Sequence, residues 1–411
     1  MVREVSILRL GLGALMLASI HYMVMAQQLH PDERDALLDI KKQLKDLPGS
    51  SFLSTWDFER EPCSGFSGIV CTIIGASSHV VMLNLGDGYA GSPGLTGTLS
   101  PRIGELRLLQ QLTLTAGSVR GELPSSIGEN LGSSLQFLGI SHNQLSGCIP
   151  ASFASLTRLL VLDLSSNSLA CAIPHEIALL PSLVALELSH NKLSGPIPDR
   201  FTSASMTHLD LGWNELSGEM PRSLPASLTY LSLKNNRLSG SMAPSLASLR
   251  ALTTLDLSSN ELTGAIPSLL WSSNPNLVSV QLQRNHLSGP VAIESPARMS
   301  RVDLSYNNLS GAIPPMLAFS ENVFLNNNHF TGSVPKEFAD GLLSANLRNL
   351  YLQHNFLTGF DLSPPDAALP AAALLCLQYN CLTPPSQSAC PLNAGKLSSR
   401  PPHQCLSSYT P

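Results

Sequence analysis

A single pattern, LxxLxLxxNxLxG, recurs along most of the 411 residues of this chain. In the LxL part, leucines alternate with polar residues, which is the period of a strand with one buried face and one wet face. One repeat cannot hide its own leucines from water, so successive repeats must stack on one another. The asparagine marks the register, with spacings of 21–27 residues: Asn143, Asn167, Asn191, Asn214, Asn236, Asn260, Asn285, Asn307, Asn328, Asn355 and, in a degenerate last copy, Asn380.

Two irregular copies precede this series. Residues 112–124 carry Gly117 at the asparagine position, and residues 83–101 contain an insertion, which gives about twelve coils. In each coil we expect the asparagine amide to satisfy backbone groups that the turn leaves unpaired. The Gly and Pro of the LxGxIP element should set the return, with only a turn or two of irregular helix.

The composition argues against a nucleic-acid partner. Charged residues make up only 13% of the chain and the net charge is −5, whereas charged residues account for roughly 25% of a typical globular domain. Lys and Arg form no run with interleaved aromatic residues, so the sequence offers no basic patch for a phosphate backbone.

The N-terminal residues predict export. Arg3 and Arg9 precede the apolar stretch 10–20, and Val24 and Ala26 are the small residues that a signal peptidase requires. We therefore expect residues 1–26 to be a signal peptide. The alternative, a short membrane anchor, would need about 20 apolar residues. The sequence thus predicts a secreted, extracellular protein, without membrane insertion.

The repeat resembles the leucine-rich repeats, and its LxGxIP element resembles the plant-specific extracellular subclass. The segments DERDALLDIKKQL (32–44) and STWDFEREPCSGFSGIVC (54–71) are similar to the N-terminal cap of that subclass. The resemblance implies an α/β solenoid: a right-handed superhelix of about twelve coils with a parallel, concave β-sheet and disulfide-bonded caps. The implied organisation is a signal peptide at 1–26, a cap at 27–78, repeats at 79–358, and a degenerate repeat with a Cys-rich cap at 359–411.

Eight cysteines suit an oxidising compartment. The solenoid that the resemblance implies has exposed apolar ends that need caps. A disulfide between Cys63 and Cys71 would then stabilise the N-terminal cap. Cys148 and Cys171 lie one coil apart and within disulfide reach if the coils stack; two free buried thiols are the alternative. The C-terminal cap would hold four cysteines whose pairing stays open: Cys376, Cys381, Cys390 and Cys405.

Candidate sites for chemistry find little support. GDGYAG (86–91) matches a dinucleotide fingerprint, but the helix that must follow it is missing. Acidic residues recur in the middle of the LxL strands at the spacing of a glycosidase pair, yet stacking alone produces that spacing. They are Asp163, Glu187, Asp210, Asp256 and Asp303.

Histidines offer no better case for a metal. His142 and His190 share a column but lie two coils apart, too far for one zinc ion. We therefore predict no catalytic residues, no cofactor and no metal.

Most exposed side chains on the predicted strand face are small and polar. Two groups of large or charged residues are exceptions. The first group lies on two adjacent coils: His208, Asp210, Trp213, Tyr230 and Lys234. The second group lies further along: Arg284, Arg301, Tyr306, Tyr351 and His354. Trp, Tyr and Arg dominate binding hot spots, although scattered exposed aromatic residues are also normal in soluble proteins.

The resemblance sets the functional hypotheses. Relatives include receptor-like proteins, receptor-like kinase ectodomains and secreted polygalacturonase inhibitors. We predict a non-enzymatic module that binds an extracellular protein or peptide through the concave face. It would act in signalling or defence, in the apoplast or cell wall. A receptor kinase ectodomain is one candidate partner. The alternative is an inhibitor of a microbial cell-wall hydrolase. The sequon at Asn308 predicts a glycan.

Overall fold

A computed structural model describes residues 28–86, 93–114, 116–362, 367–385, 388, 390 and 398–406. The chain forms two compact units, Met1–Asn191 and Lys192–Pro411. The predicted signal peptide and most of GDGYAG lie outside the described residues. Within the described part, no helix reaches the length and apolarity that crossing a bilayer requires.

The described part of the first unit contains short strands, one helix of 13 residues and several shorter helical turns. Its helices are α1 (Pro31–Gln43), α2 (Pro62–Gly65) and α3 (Ser126–Leu131), with 3-10 turns at Phe52–Thr55, Pro101–Glu105, Ala151–Ser155 and His175–Leu179. Its strands are β1 (Leu44–Asp46), β2 (Ile69–Ile74), β3 (Ser77–Leu85), β4 (Leu95–Thr98), β5 (Gln111–Leu114), β6 (Ser118–Gly121), β7 (Phe137–Gly139), β8 (Gln144–Leu145), β9 (Val161–Asp163) and β10 (Ala185–Glu187).

The strands of the first unit form two sheets. One runs in the order β2-β3-β5-β7-β9-β10, and the other in the order β1-β4-β6-β8. In the first sheet, β2 pairs with β3 antiparallel and pairing is parallel from β3 onward. In the second sheet, β1 pairs with β4 antiparallel and the other pairs are parallel. In the cap, the buried carboxylate of Glu33 accepts from the backbone of Val80 at 2.7 Å and lies 2.8 Å from His79, which ties α1 to β3.

The second unit repeats the same coil. Its helices are α4 (Ala243–Leu246), α5 (Leu269–Ser272), α6 (Lys336–Leu343) and α7 (Pro402–Leu406), with a 3-10 turn at Pro315–Phe319. Its strands are β11 (Ser194–Pro196), β12 (His208–Asp210), β13 (Glu215–Glu219), β14 (Tyr230–Ser232), β15 (Arg237–Ser241), β16 (Thr254–Asp256), β17 (Glu261–Gly264), β18 (Ser279–Gln281), β19 (His286–Gly289), β20 (Arg301–Asp303), β21 (Asn308–Gly311), β22 (Asn322–Phe324), β23 (His329–Ser333), β24 (Asn349–Tyr351), β25 (Phe356–Gly359) and β26 (Leu374–Cys376).

In this unit the even-numbered strands β12 to β26 form one parallel sheet, and the odd-numbered strands β11 to β25 form a second. The leucines of each LxL strand point inward: Leu209 and Leu255, for example, have no exposed surface. The stacking that the sequence predicts is therefore confirmed within each unit.

The register asparagines form a ladder that links one coil to the next. Asn260 accepts from the backbone N–H of Leu238 in the preceding coil at 3.0 Å. Its amide nitrogen donates to the carbonyl oxygens of Leu233, Leu257 and Ser258 at 3.0–3.2 Å. Even Asn380, in the degenerate last repeat, keeps these contacts and is fully buried. The expected role of the amide is therefore correct.

The odd-numbered sheet was not anticipated from the sequence. Its strands begin just after the ladder asparagine and run through the LxG element, which we interpreted only as a turn. The glycine that closes the element adopts a positive φ, as at Gly264 (+79°), where a β-carbon would strain the backbone. The element is thus both a strand end and a turn.

Four disulfides join the eight cysteines. They are Cys63–Cys71, Cys148–Cys171, Cys376–Cys390 and Cys381–Cys405. The second of these joins adjacent coils of the first unit, with 5.4 Å between its α-carbons. Cys171 occupies the position of the LxG glycine and holds a φ of +66°. Its coil has an isolated bridge between Cys148 and Ala170 in place of a strand, so the disulfide joins coils where the sheet is interrupted.

Replacing both Cys148 and Cys171 with Ser is expected to lower the free energy of unfolding of the first unit by about 3 kcal/mol, because the cross-link closes a loop of 23 residues. The pair Cys148→Ala with Cys171→Gly restores the sequence of a regular repeat. It should recover about 1 kcal/mol, since glycine accepts a positive φ without strain. Urea unfolding measures both values. Equal stability of the two double variants would contradict the strain at Cys171.

Candidate ligand-binding face

In-register parallel pairing fixes the side-chain columns of the second unit. We call the solvent side of the β12–β26 sheet, with the turn after each strand, the strand face. His208 is the register partner of Tyr230, and their rings stack with centroids 4.1 Å apart and planes 2° from parallel. Both side chains are half-buried. The stack holds two aromatic rings in fixed positions on the face.

Trp213 occupies the turn position immediately before a ladder asparagine. This position adopts the left-handed backbone conformation in coil after coil, with φ of +54° at Trp213, +58° at Arg284 and +56° at Tyr306. A non-glycine residue in this region is uncommon, and here the backbone N–H is held by the next coil, as in the bond from Trp213 to the Lys234 carbonyl at 2.8 Å. Trp213 is 45% exposed. The turn therefore directs a large side chain to solvent from a rigid backbone.

The charged members of the first group have structural partners. The Lys234 ammonium lies 3.6 Å from the carboxylate of Asp256. Asp210 accepts from the backbone N–H of Gly212 at 3.0 Å and is half-buried. This part of the face thus carries aromatic rings next to charges that are largely compensated.

Four members of the second group take part in two separate sets of ring contacts. The Arg284 guanidinium lies over the Tyr306 ring, 4.9 Å from its centroid. Arg301 lies over Phe324 at 4.5 Å and donates to Asp303 at 2.9 Å, and Phe324 stacks on Tyr351 at 5.1 Å. Such cation–π contacts hold arginine side chains in defined positions.

Residues of the C-terminal part extend this aromatic series. The ring of His354 lies 4.9 Å from that of Tyr379. Arg400, from the cap, lies 4.0 Å from the Phe356 ring and 4.6 Å from the Tyr379 ring, and donates to the Asn355 carbonyl at 3.0 Å. Burial lowers the pKa of the Arg400 guanidinium from its usual value, while the nearby Tyr379 acts in the opposite direction. Arg400 therefore joins the cap to the last two coils.

The acidic column differs in exposure along its length: Asp163, Glu187 and Asp210 are half-buried, whereas the last two members are buried. Asp256 and Asp303 are each only 5% exposed. Each accepts from the hydroxyl and backbone N–H of the serine two residues later, for example Ser258 at 2.6 and 3.1 Å. These carboxylates close the turn after the strand, and the LDLS sequence already carries that hydrogen-bond pattern.

Features that could support chemistry do not converge in the described residues. No group of three or more potential metal ligands occurs among them. His142 and His190 do share the left-handed turn column of the first unit. A groove of about 950 Å³ lies at the starts of β20, β22 and β24; Glu321 and Arg348 line it as an ion pair at 3.8 Å, and its lining contains no histidine or cysteine.

Asn308 is the first residue of β21, and its side chain is exposed. It lies on the odd-numbered sheet, where its register partner is Ser288. The sequon is therefore accessible and separate from the strand face.

Family models match several stretches of the chain. Leucine-rich-repeat models match residues 133–193, 202–219, 227–249, 251–273 and 298–319, and a leucine-rich-repeat N-terminal-domain model matches residues 30–72. Among curated relatives, the receptor-like protein EIX1 of Solanum lycopersicum is 37% identical over 142 residues, which are 32% of this chain and 13% of that protein.

Two solved structures show similar coils. The plant peptide hormone receptor RGFR1, in complex with RGF2, is 29% identical with a TM-score of 0.61; the match covers 71% of this chain and 47% of that one. A plant ice-binding protein is 26% identical with a TM-score of 0.58, and the match covers 84% of this chain and 100% of that one. This chain therefore spans less than half of RGFR1 and only a small part of EIX1.

Proposed function

Because this chain belongs to the leucine-rich-repeat family, we propose that it is an extracellular, non-enzymatic recognition module whose strand face binds a protein or peptide. The observation that supports this most strongly is the aromatic and arginine-rich surface of the second unit. The coil pattern alone does not choose a ligand, since similar coils occur in an ice-binding protein and in a hormone receptor.

The chemistry of this surface suits a protein or peptide. Trp213 and Tyr230 offer large aromatic area with polar edges, and Arg284 offers a guanidinium already held over a ring. Residues of these types contribute most of the energy at protein interfaces. Rings and guanidiniums that are fixed before binding lose little conformational freedom when a ligand arrives.

The relatives point to the same class of ligand. RGFR1 is a peptide hormone receptor, and EIX1 is a receptor-like protein. We therefore propose a role in signalling or defence, with an extracellular peptide, a protein or a receptor kinase ectodomain as the partner. The predicted export of the chain supports an extracellular site of action.

Capture from the apoplastic fluid of a plant tests this function. The tagged protein serves as bait with an amine-reactive cross-linker, and captured proteins are identified by mass spectrometry. Baits carrying Trp213→Ala with Tyr230→Ala should lose specific partners. A Leu269→Ala bait should retain them, because Leu269 has an exposure (49%) similar to that of Trp213 but lies on α5, outside the strand face. Identical capture by all three baits would remove the strand face as the site.

Inhibition of a secreted hydrolase is the competing hypothesis. The purified protein is assayed against fungal polygalacturonases, and the proposed recognition role predicts no inhibition. If the protein inhibits the enzyme and Trp213→Ala abolishes that inhibition, the strand face remains the binding site, but the function is enzyme inhibition and not signalling.

A glycan at Asn308 is expected in protein secreted by plant cells, because the side chain is exposed in a secreted chain. Asn308→Gln should remove a mass that peptide-N-glycosidase also removes from the wild type. Ligand capture should be unchanged, since β21 belongs to the odd-numbered sheet. A wild-type mass equal to that of the bare polypeptide would contradict the prediction.

A further inference from the structure

Strand β2 is the outermost strand of the β2-β3-β5-β7-β9-β10 sheet in the first unit. Among the described residues it pairs only with β3, so its other edge carries unpaired peptide groups. An open edge of this kind is a template for a further strand. Proteins usually protect such an edge with charges, proline or a covering segment.

Here the edge carries apolar side chains instead. Val70, Ile73 and Ile74 are 45%, 61% and 55% exposed. Alternation along a strand places Val70, Thr72 and Ile74 on one face, and Ile69, Cys71 and Ile73 on the other. The strand borders a groove of about 580 Å³. Its lining combines Ile69, Val70, Ile73 and the Cys63–Cys71 disulfide with the polar residues Gln28, Glu61, Ser64 and Ser78. The strand therefore has protruding apolar side chains beside a groove of mixed polarity.

No charged residue lies between Glu61 and His79. The imidazole of His79 already contacts the Glu33 carboxylate, with 2.8 Å between Nδ1 and Oε1. Glu61 lines the groove, but its carboxylate already accepts from the backbone N–H of Leu29 at 2.8 Å. The strand itself therefore presents no charge that would attract an oppositely charged partner or repel a second copy. The same strand supplies the groove and the side chains that could fill it, which is the requirement for a two-fold symmetric contact.

We propose that two copies of this chain associate by antiparallel pairing of β2 with β2. The register that best matches the side chains places Thr72 on the two-fold axis. Val70 then faces Ile74 of the second copy, and Ile73 faces Cys71 of the second copy, over its groove. Apolar side chains directly opposite each other stabilise antiparallel pairs.

The contact is small. One six-residue strand on each side buries less than the roughly 1,200–2,000 Å² typical of stable interfaces. The dimer is therefore weak and reversible, with a dissociation constant on the order of 10–100 µM.

Sedimentation velocity of the full secreted chain tests self-association from about 1 to about 200 µM. The wild type should shift from monomer to dimer. Val70→Lys with Ile74→Lys should weaken association at least tenfold, because lysine on an edge blocks pairing. Leu160→Lys, at a 40% exposed site before β9, should leave it unchanged. A wild type that stays monomeric throughout overturns the proposal.

A cysteine on the axis tests the register without destabilising charges. Directly opposed residues of an antiparallel pair lie within disulfide reach, so Thr72→Cys should give a covalent dimer under mild oxidation. Ala76→Cys, at the exposed hairpin turn, should not, because two copies of residue 76 would be about 27 Å apart in this register. Dimerisation without a Thr72→Cys cross-link, or equal cross-linking at both positions, overturns the β2–β2 contact.

Discussion

Asn260→Ala is expected to lower the free energy of unfolding of the second unit by roughly 2–4 kcal/mol. The asparagine is 7% exposed and bonds to four backbone groups. Alanine leaves the N–H of Leu238 and the carbonyls of Leu233, Leu257 and Ser258 without this partner. A buried backbone group that loses its hydrogen bond costs about 1–3 kcal/mol.

A matched control separates the ladder from asparagine chemistry in general. Asn346 is exposed and, among the residues that the structure describes, its side chain bonds only to the Ser344 hydroxyl, at 3.1 Å. Asn346→Ala should change stability by less than about 0.5 kcal/mol. Urea unfolding followed by circular dichroism measures both variants. The ladder would have no special role if the two losses were equal.

Trp213→Ala is expected to weaken binding of a captured partner by about 30-fold or more, the effect of losing a hot-spot aromatic residue. Stability should change little, because the side chain is 45% exposed. Alanine and tryptophan also bear the same β-carbon, so the strain of the positive φ at this turn is unchanged. Surface plasmon resonance with the purified partner gives the affinity.

Leu269→Ala is the matched control for this measurement. It removes an apolar side chain of similar exposure from α5 of the same unit. Its affinity should stay within about twofold of the wild type, an effect below 0.5 kcal/mol. Equal affinities of the Trp213→Ala and wild-type proteins would place the ligand elsewhere.

The stacking of coils could be predicted from the sequence because one local rule generates it. Each LxL strand must bury its leucines, and each asparagine must satisfy the turn that follows, so the period alone specifies the neighbours. Asn380 shows how far the rule reaches, since it keeps its ladder contacts although the leucine pattern around it has degenerated.

The odd-numbered sheet escaped prediction for a physical reason. Its strands contain glycine at a positive φ, as at Gly264, and glycine in a short run is the usual sign of a turn. The pairing becomes apparent only when the coils stack and the LxG elements lie side by side. The pairing of the four C-terminal cysteines could not be predicted for a similar reason, because the cap has no repeat that specifies which cysteines lie close together.

The candidate face was only partly visible in the sequence. Phe324 occupies the same strand position as Asp303 and Tyr351, so column analysis could have found it. Arg400 could not be found in this way, because it comes from the cap and has no repeat register. The burial of Asp256 was also not visible in the pattern, because it depends on the hydrogen bond from Ser258, which makes the carboxylate part of a buried turn.

Site-specific photo-cross-linking tests the recognition role most directly. Benzoylphenylalanine replaces Ser259, in the turn column shared with Trp213 and Arg284, or Ser272, exposed on α5. Ligand binding through the strand face predicts adducts with the captured partner from position 259 and none from position 272. Adducts from position 272 alone, or with equal yield from both positions, would contradict it.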